Sequence, residues 1–159
     1  MNGCAERLFL VVIDESEEMR VALHYAARRA AHTGGRVALV TVIEPPDQDV
    51  QHWMAVEDLV REELRQNAEQ ALQHYAEEVV AICGTLPVLY IREGERRDAV
   101  LRLLAEEPSI SVLVLAVGTG PNGPGPLISY LCGKGVGRWH VPVTLVPGNL
   151  SDAQLDAIT

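Results

Sequence analysis

The apolar residues of this chain are concentrated in five short runs. These runs cover residues 8–13, 37–43, 87–92, 112–117 and 141–146. A short apolar run bounded by polar or turn-forming residues is typical of a strand that is buried on both faces of a sheet. The pattern therefore predicts five strands. Pro142, near the start of the last run, favours an edge position, because proline offers no N–H group to a neighbouring strand.

Between these runs, apolar residues recur at the three- and four-residue spacing of one face of a helix. The first predicted helix has its apolar positions between Met19 and Ala30. We expect it to be capped by Asp14 or Ser16 and to end at Gly34.

Three further helices and a final helical turn are predicted along the chain. The second helix is expected from about His52 to Cys83, and Asp98 is expected to cap the third. A fourth begins near Leu127, and the glycines that follow it leave its length open. Ser151 and the residues after it are expected to open the last turn.

The regular alternation of strands and helices decides the fold class. It predicts a single-domain α/β protein with a doubly wound, mostly parallel five-stranded sheet and helices on both faces. The 159 residues suit one domain of this kind. We assign residues 1–150 to the domain and residues 151–159 to a C-terminal tail.

Composition narrows the classes of partner and the cell compartment. The chain has 22 acidic and 13 basic residues and a net charge of −9, which opposes attraction to nucleic acid or to an anionic membrane surface. No apolar run approaches the roughly 20 residues of a membrane-spanning helix, and the first residues lack a signal-peptide pattern. The three cysteines, Cys4, Cys83 and Cys132, are widely spaced and indicate reduced thiols. We therefore expect a cytoplasmic protein with neither a nucleic-acid nor a membrane partner.

The fourth strand runs directly into a loop rich in glycine and proline at residues 118–126. Ligands of doubly wound sheets bind beyond the carboxyl ends of the strands at the point where the strand order reverses, here expected between the first and fourth strands. That arrangement places Asp14 beside Gly118, with Val42 nearby. A purine fits such a pocket, with Asp14 accepting hydrogen bonds from the base or the ribose and the backbone of residues 118–125 facing phosphates. A plain strand-to-helix connection for the loop, and a helix cap for Asp14, remain alternatives.

The common catalytic motifs are missing from the sequence. It has no G-x-S-x-G elbow, no P-loop and no G-x-G-x-x-G after the first strand. The five histidines lack the paired spacing of metal ligands. These observations favour a binding module over an enzyme.

The chain resembles the universal stress protein family over roughly residues 6–148. The resemblance rests on residues 8–16 with the amphipathic helix behind them, the strand before Glu44, the strand that ends at Gly118, and the segment from Trp139 to Val146. It implies a homodimer joined through the last strand, from Val141 to Val146. It also implies binding of ATP or AMP, with Mg²⁺. The implied nucleotide contacts are Ile13, Asp14, Val42, Gly118, Gly120, Gly123, Gly125 and Ser129.

The family's glycine motif is only partly present in this chain, and this leaves two functions open. Gly118 matches the first residue of the family's glycine motif, whereas Pro121 stands where the second glycine belongs. The first expectation is a stress-response regulatory module that binds nucleotide weakly. The alternative is a dimeric interaction scaffold that binds a protein partner and no small ligand.

Overall fold

A computed structural model describes residues 5–14, 16–45 and 54–159 of the chain, without the side chains of residues 54–56. Its elements alternate between strand and helix. They are β1 (Leu8–Ile13), α1 (Met19–Thr33), β2 (Arg36–Ile43), α2 (Met54–Cys83), β3 (Val88–Glu93), α3 (Arg96–Glu106), β4 (Ile110–Val117), α4 (Pro126–Cys132), β5 (Val143–Pro147) and α5 (Asp152–Ile158).

The five strands form one sheet in the order β3-β2-β1-β4-β5, and every neighbouring pair is parallel. The strands β2 and β3 lie on one side of β1, and the later strands β4 and β5 lie on its other side. The strand order therefore reverses between β1 and β4, as predicted. This confirms the doubly wound α/β fold and the edge position of the last strand.

Alternating residues of the buried strands face two separate hydrophobic cores. Leu10 of β1 belongs to the core beneath α3 and α4. Its neighbour Val11 belongs to the core beneath α1, α2 and α5. All six residues of β1 are buried, because helices cover both faces of the central strand. The apolar runs in the sequence reflect this two-sided burial.

The first helix ends as expected and begins differently. Gly34 adopts a left-handed conformation, with φ of 68°, and its N–H donates to the carbonyl oxygen of Ala30. The expected caps, Asp14 and Ser16, were wrong. The capping position is Glu18, and its side chain makes no capping hydrogen bond.

Two other helix starts also differ from their predictions. Asp98 does not cap α3, because the capping position is Glu95 and Asp98 lies in the first turn. His52, the expected start of α2, lies outside the described residues, as does Cys4. The fourth helix stops at Cys132, and turns follow it through the glycine-rich segment 133–137.

The last strand is shifted from its predicted bounds. It begins at Val143 rather than Val141, and it ends at Pro147. Val141 is buried in the core beneath α3 and α4. The carbonyl of Pro142 accepts a 2.9 Å hydrogen bond from the N–H of Leu113, which extends the pairing with β4 by one residue.

Residues 152–158, assigned to a tail, form a helix that packs on α1. Ser151 and Gln154 form a capping box at its start, which confirms the expected helical turn. Leu155 is buried against the core beneath α1, and Arg28 of α1 donates a 2.8 Å hydrogen bond to the carbonyl oxygen of Asp152.

Among the described helices, none combines the length and the apolar character needed to cross a membrane.

Candidate functional site

A cavity of about 980 Å³ lies at the carboxyl ends of β1, β2 and β4. The starts of α1, α3 and α4 and the middle of α2 complete its walls. Small-molecule sites commonly have volumes of about 300–1,000 Å³ and lie at such topological switch points. The cavity is therefore large enough for a mononucleotide, and it lies where the strand order predicts a ligand.

One part of the cavity wall is apolar. It consists of strand-end residues Val42, Ile43 and Leu115, together with side chains that α2 brings over the sheet edge. The contributing residues of α2 include Ala68 and Ala71. Small side chains on the helix leave space above the sheet, and a flat apolar wall suits an aromatic base.

Asp14 lies where β1 ends, on the lining of the cavity. Its Oδ1 accepts hydrogen bonds from the backbone N–H of Ser16, at 2.9 Å, and from the Ser16 hydroxyl. These bonds form a local turn and fix the carboxylate. Because they use one carboxylate oxygen, and no hydrogen bond from the described residues reaches Oδ2, this second oxygen can accept one from a ligand.

Glu18 places a second carboxylate beside the glycine loop. A Cβ atom added to Gly118 would lie 3.2 Å from Glu18 Oε1 and 2.8 Å from the carbonyl oxygen of Gly123. On the other side, a Cβ atom added to Gly148 would lie 2.5 Å from Glu18 Cβ. Glu18 thus lies between two backbone segments that only glycine allows to approach so closely.

Two backbone N–H groups of the glycine loop are bonded within the loop itself. The N–H of Gly118 donates to the carbonyl of Pro124 at 3.1 Å, and the N–H of Gly123 donates to the carbonyl of Gly120 at 3.3 Å. These two N–H groups therefore point at other atoms of the loop. A phosphate would have to displace those bonds to be bound by them.

The predicted nucleotide contacts divide into two groups in the structure. The residues on the cavity lining are Ile13, Asp14, Val42 and Gly125. The residues away from the lining are Gly118, Gly120, Gly123 and Ser129. The cavity lies at the strand ends where the site was expected, and the role of each residue in binding stays a prediction.

Arg96 is a lining residue that the sequence analysis missed. It is the first residue of α3, and its Nε is buried without a hydrogen-bond partner among the described residues. The charged side chains on the described lining are Asp14, Glu18, Glu44 and Arg96. The only sequence signal for Arg96 is its position just after the third strand and Gly94, at the same sheet edge as Asp14.

The described residues contain no group of three or more His, Cys, Asp or Glu side chains that could hold a metal ion. The carboxylates of Asp14, Glu18 and Glu44 share the cavity without forming such a cluster.

The chain was compared with models of known protein families. The model of the universal stress protein family matches residues 7–147 of the chain. The chain belongs to the universal stress protein family. A comparison with curated proteins gave no match.

Solved universal stress proteins have the same fold. Universal stress protein UspA from Lactobacillus plantarum is 18% identical, with 91% of this chain and 99% of that chain covered and a TM-score of 0.71. A universal stress protein solved in complex with cAMP is 19% identical over 91% of this chain and 99% of its own, with a TM-score of 0.59. The Archaeoglobus fulgidus protein solved in complex with dAMP is 15% identical over 89% and 97%, with a TM-score of 0.57. At these identities the comparisons establish the shared fold.

Proposed function

We propose that this universal stress protein is a stress-response regulatory module that binds an adenine nucleotide of the AMP type. The observation that carries the proposal is the cavity of about 980 Å³ at the switch point between β1 and β4. Two family members of the same fold were solved in complex with cAMP and dAMP, which supports a ligand of this class.

The proposed binding mode follows from the cavity walls. The base lies against the apolar wall that includes Val42 and Leu115. Asp14, held by Ser16, accepts a hydrogen bond from the ribose hydroxyls or the base amino group. A fixed acceptor at the edge of an apolar pocket orients the ligand, because only one pose satisfies both the apolar surface and the carboxylate.

Charge favours a monophosphate over a triphosphate in this cavity. Three carboxylates and one guanidinium line the described walls, so each added phosphate increases the repulsion. We propose AMP as the tighter ligand and ATP as the weaker one. Mg²⁺ would offset part of the triphosphate charge and bring the affinity for ATP closer to that for AMP.

A thermal-shift titration tests nucleotide binding. AMP and ATP, each with and without Mg²⁺, are added to the wild-type chain, with ribose 5-phosphate as the control that lacks a base. A ligand that binds only the folded state at 100 times its Kd adds about 2.7 kcal/mol of stability, so AMP is expected to raise the Tm saturably. Ribose 5-phosphate is expected to give little shift, because it cannot use the apolar wall.

The absence of any saturable shift at millimolar AMP and ATP would contradict the proposal. The interaction scaffold would then be the remaining candidate function, and the search would turn to a protein partner.

We also propose that the chain forms a homodimer through β5. One edge of this strand has no partner in the described sheet, and Leu145 on it is 42% exposed. Beside it lies an apolar cavity of about 280 Å³ whose walls include Leu115, Trp139 and Val143. A second copy that pairs along this edge would cover apolar surface that otherwise faces water.

The dimer proposal is tested by replacing Leu145 with lysine. A charge at the centre of an apolar interface must be desolvated without a partner, so we expect the variant to be monomeric. Leu89→Lys is the matched control, since Leu89 is 45% exposed on the opposite edge strand. Light scattering at micromolar concentration measures the mass. A monomeric wild-type chain, or a Leu145→Lys variant that stays dimeric, would refute the proposed interface.

The cytoplasmic location expected from the sequence stays a prediction, and cell fractionation with an antibody against the chain would test it.

A further inference from the structure

We infer that Arg96 binds the phosphate group of the nucleotide, in place of the glycine loop that the family motif would assign. This inference rests on the proposed function, since it concerns the same cavity. It also specifies the ligand class as a nucleoside phosphate rather than a free nucleoside.

The first observation is that Arg96 lacks the partner that its neighbours have. Arg92 lies 3.8 Å from a carboxylate oxygen of Glu106, and Arg97 lies 2.8 Å from one of Glu95. Within the described ranges, Arg96 forms no ion pair, and its buried Nε has no hydrogen-bond acceptor. A buried donor without an acceptor is costly, so native structures rarely leave one unpaired. An anionic ligand in the cavity would give the guanidinium group of Arg96 a charged partner.

The second observation is that Gly118, the first residue of the glycine loop, is poorly suited to an anion. The N–H of Gly118 is already bonded to the carbonyl of Pro124. Glu18 Oε1 would lie 3.2 Å from a Cβ atom on Gly118, so a carboxylate occupies the space beside the loop. A phosphate there would meet a like charge, and it would have to break the hydrogen bond within the loop.

Together these observations assign the phosphate to the start of α3. Arg96 is the only basic side chain on the described lining, where it shares the cavity with Asp14, Glu18 and Glu44. Guanidinium groups bind phosphate through two parallel N–H···O hydrogen bonds. A single phosphate can therefore pair with the guanidinium group of Arg96, and Asp14 can bind the ribose or the base.

The test compares AMP with adenosine by isothermal titration calorimetry of the full chain. The two ligands differ only in the phosphate, so the ratio of their Kd values isolates its contribution. We expect the wild-type chain to bind AMP at least about tenfold more tightly than adenosine, as for other charge-assisted hydrogen bonds. In Arg96→Gln this ratio should fall to about one, with adenosine binding unchanged.

Arg102→Gln is the matched control, because Arg102 lies on the same helix, is exposed and does not line the cavity. It makes the same charge change, so the ratio should stay at its wild-type value. The Tm of each unliganded variant checks that the fold is intact.

Distinct outcomes separate this inference from the proposed function. If the wild-type chain binds both ligands and Arg96→Gln keeps the preference for AMP, the inference fails and the proposed function stands. A parallel loss of adenosine and AMP binding in Arg96→Gln would also overturn it, since the arginine would then act on the whole site. If the wild-type chain binds neither ligand, the proposed function fails, and the assignment of Arg96 fails with it.

Discussion

Replacing Leu39 with alanine is expected to lower the free energy of unfolding by about 2–5 kcal/mol. Leu39 is fully buried near the middle of β2, where it packs in the core beneath α1 and α2. It lies in register between Val11 of β1 and Leu89 of β3. The substitution removes apolar contacts and leaves a cavity that the neighbouring parallel strands are too constrained to fill. Urea denaturation monitored by circular dichroism gives the change in free energy.

Leu89→Ala is the control for the Leu39 variant. Leu89 is the register partner of Leu39 on β3, but it is 45% exposed. The same truncation there removes less buried surface, and we expect a loss of less than about 1.5 kcal/mol because the transfer and cavity terms are both smaller. Equal losses at the two positions would contradict the described burial of β2.

Replacing Asp14 with alanine is expected to weaken AMP binding roughly 10- to 100-fold. The carboxylate lines the cavity, and the N–H of Ser16, at 2.9 Å, holds it in place. Hydrogen bonds to charged groups contribute about 1.5–3 kcal/mol, which corresponds to a loss of this size. Calorimetric titration of AMP into the wild-type chain and the variant measures the ratio of the two Kd values.

Asp98→Ala is the control for the Asp14 variant, because Asp98 is an exposed carboxylate on α3 that does not line the cavity. It makes the same change in net charge and should leave the affinity for AMP as it is in the wild-type chain. The unliganded Tm of Asp14→Ala reports the cost of losing the turn with Ser16 separately from the cost in binding. Unchanged affinity in Asp14→Ala would mean that Asp14 serves only that turn.

The pattern of apolar residues predicted the fold because apolar side chains occupy the buried positions of the strands and helices. The central strands are apolar runs, whereas β3 includes Arg92 and Glu93 and is only partly buried. The bounds of β1 match the prediction at both ends. Alternation with amphipathic helices predicted the parallel sheet, and the switch point followed from the strand order. The shift of β5 from residue 141 to Val143 has a simple cause. Val141 is apolar because it packs in the core before the strand begins.

Some helix caps were predicted correctly and others were not, because a polar side chain near a helix start can form hydrogen bonds with several different backbone groups. Ser151 caps α5: its hydroxyl accepts from the N–H of Gln154, and its own N–H donates to the Gln154 side chain. Asp14 instead bonds to Ser16 two residues later, which competes with capping a helix. Residue type alone does not decide between these arrangements.

The location of the cavity and the place of Asp14 on it could be predicted from the sequence, whereas its other charged lining residues could not. Asp14 and Val42 were expected to meet because the carboxyl ends of parallel strands lie at one edge. Arg96 and Glu18 were missed, since each lies at the start of a helix, where the sequence pattern does not show which side chains line the cavity.

The α/β class, the number and order of the elements and the sheet edge that carries the cavity could be predicted from the sequence. These follow from periodicity and from the short connections between elements, which are local properties of the chain. The packing of the folded chain, in contrast, was needed to show that Gly118 faces Glu18 and Pro124 and that Arg96 lines the cavity. The approach of Glu18 to Gly118 and the position of Arg96 on the cavity lining join segments far apart in the chain. They depend on how the helices pack over the sheet, for which a single sequence carries no periodic signal.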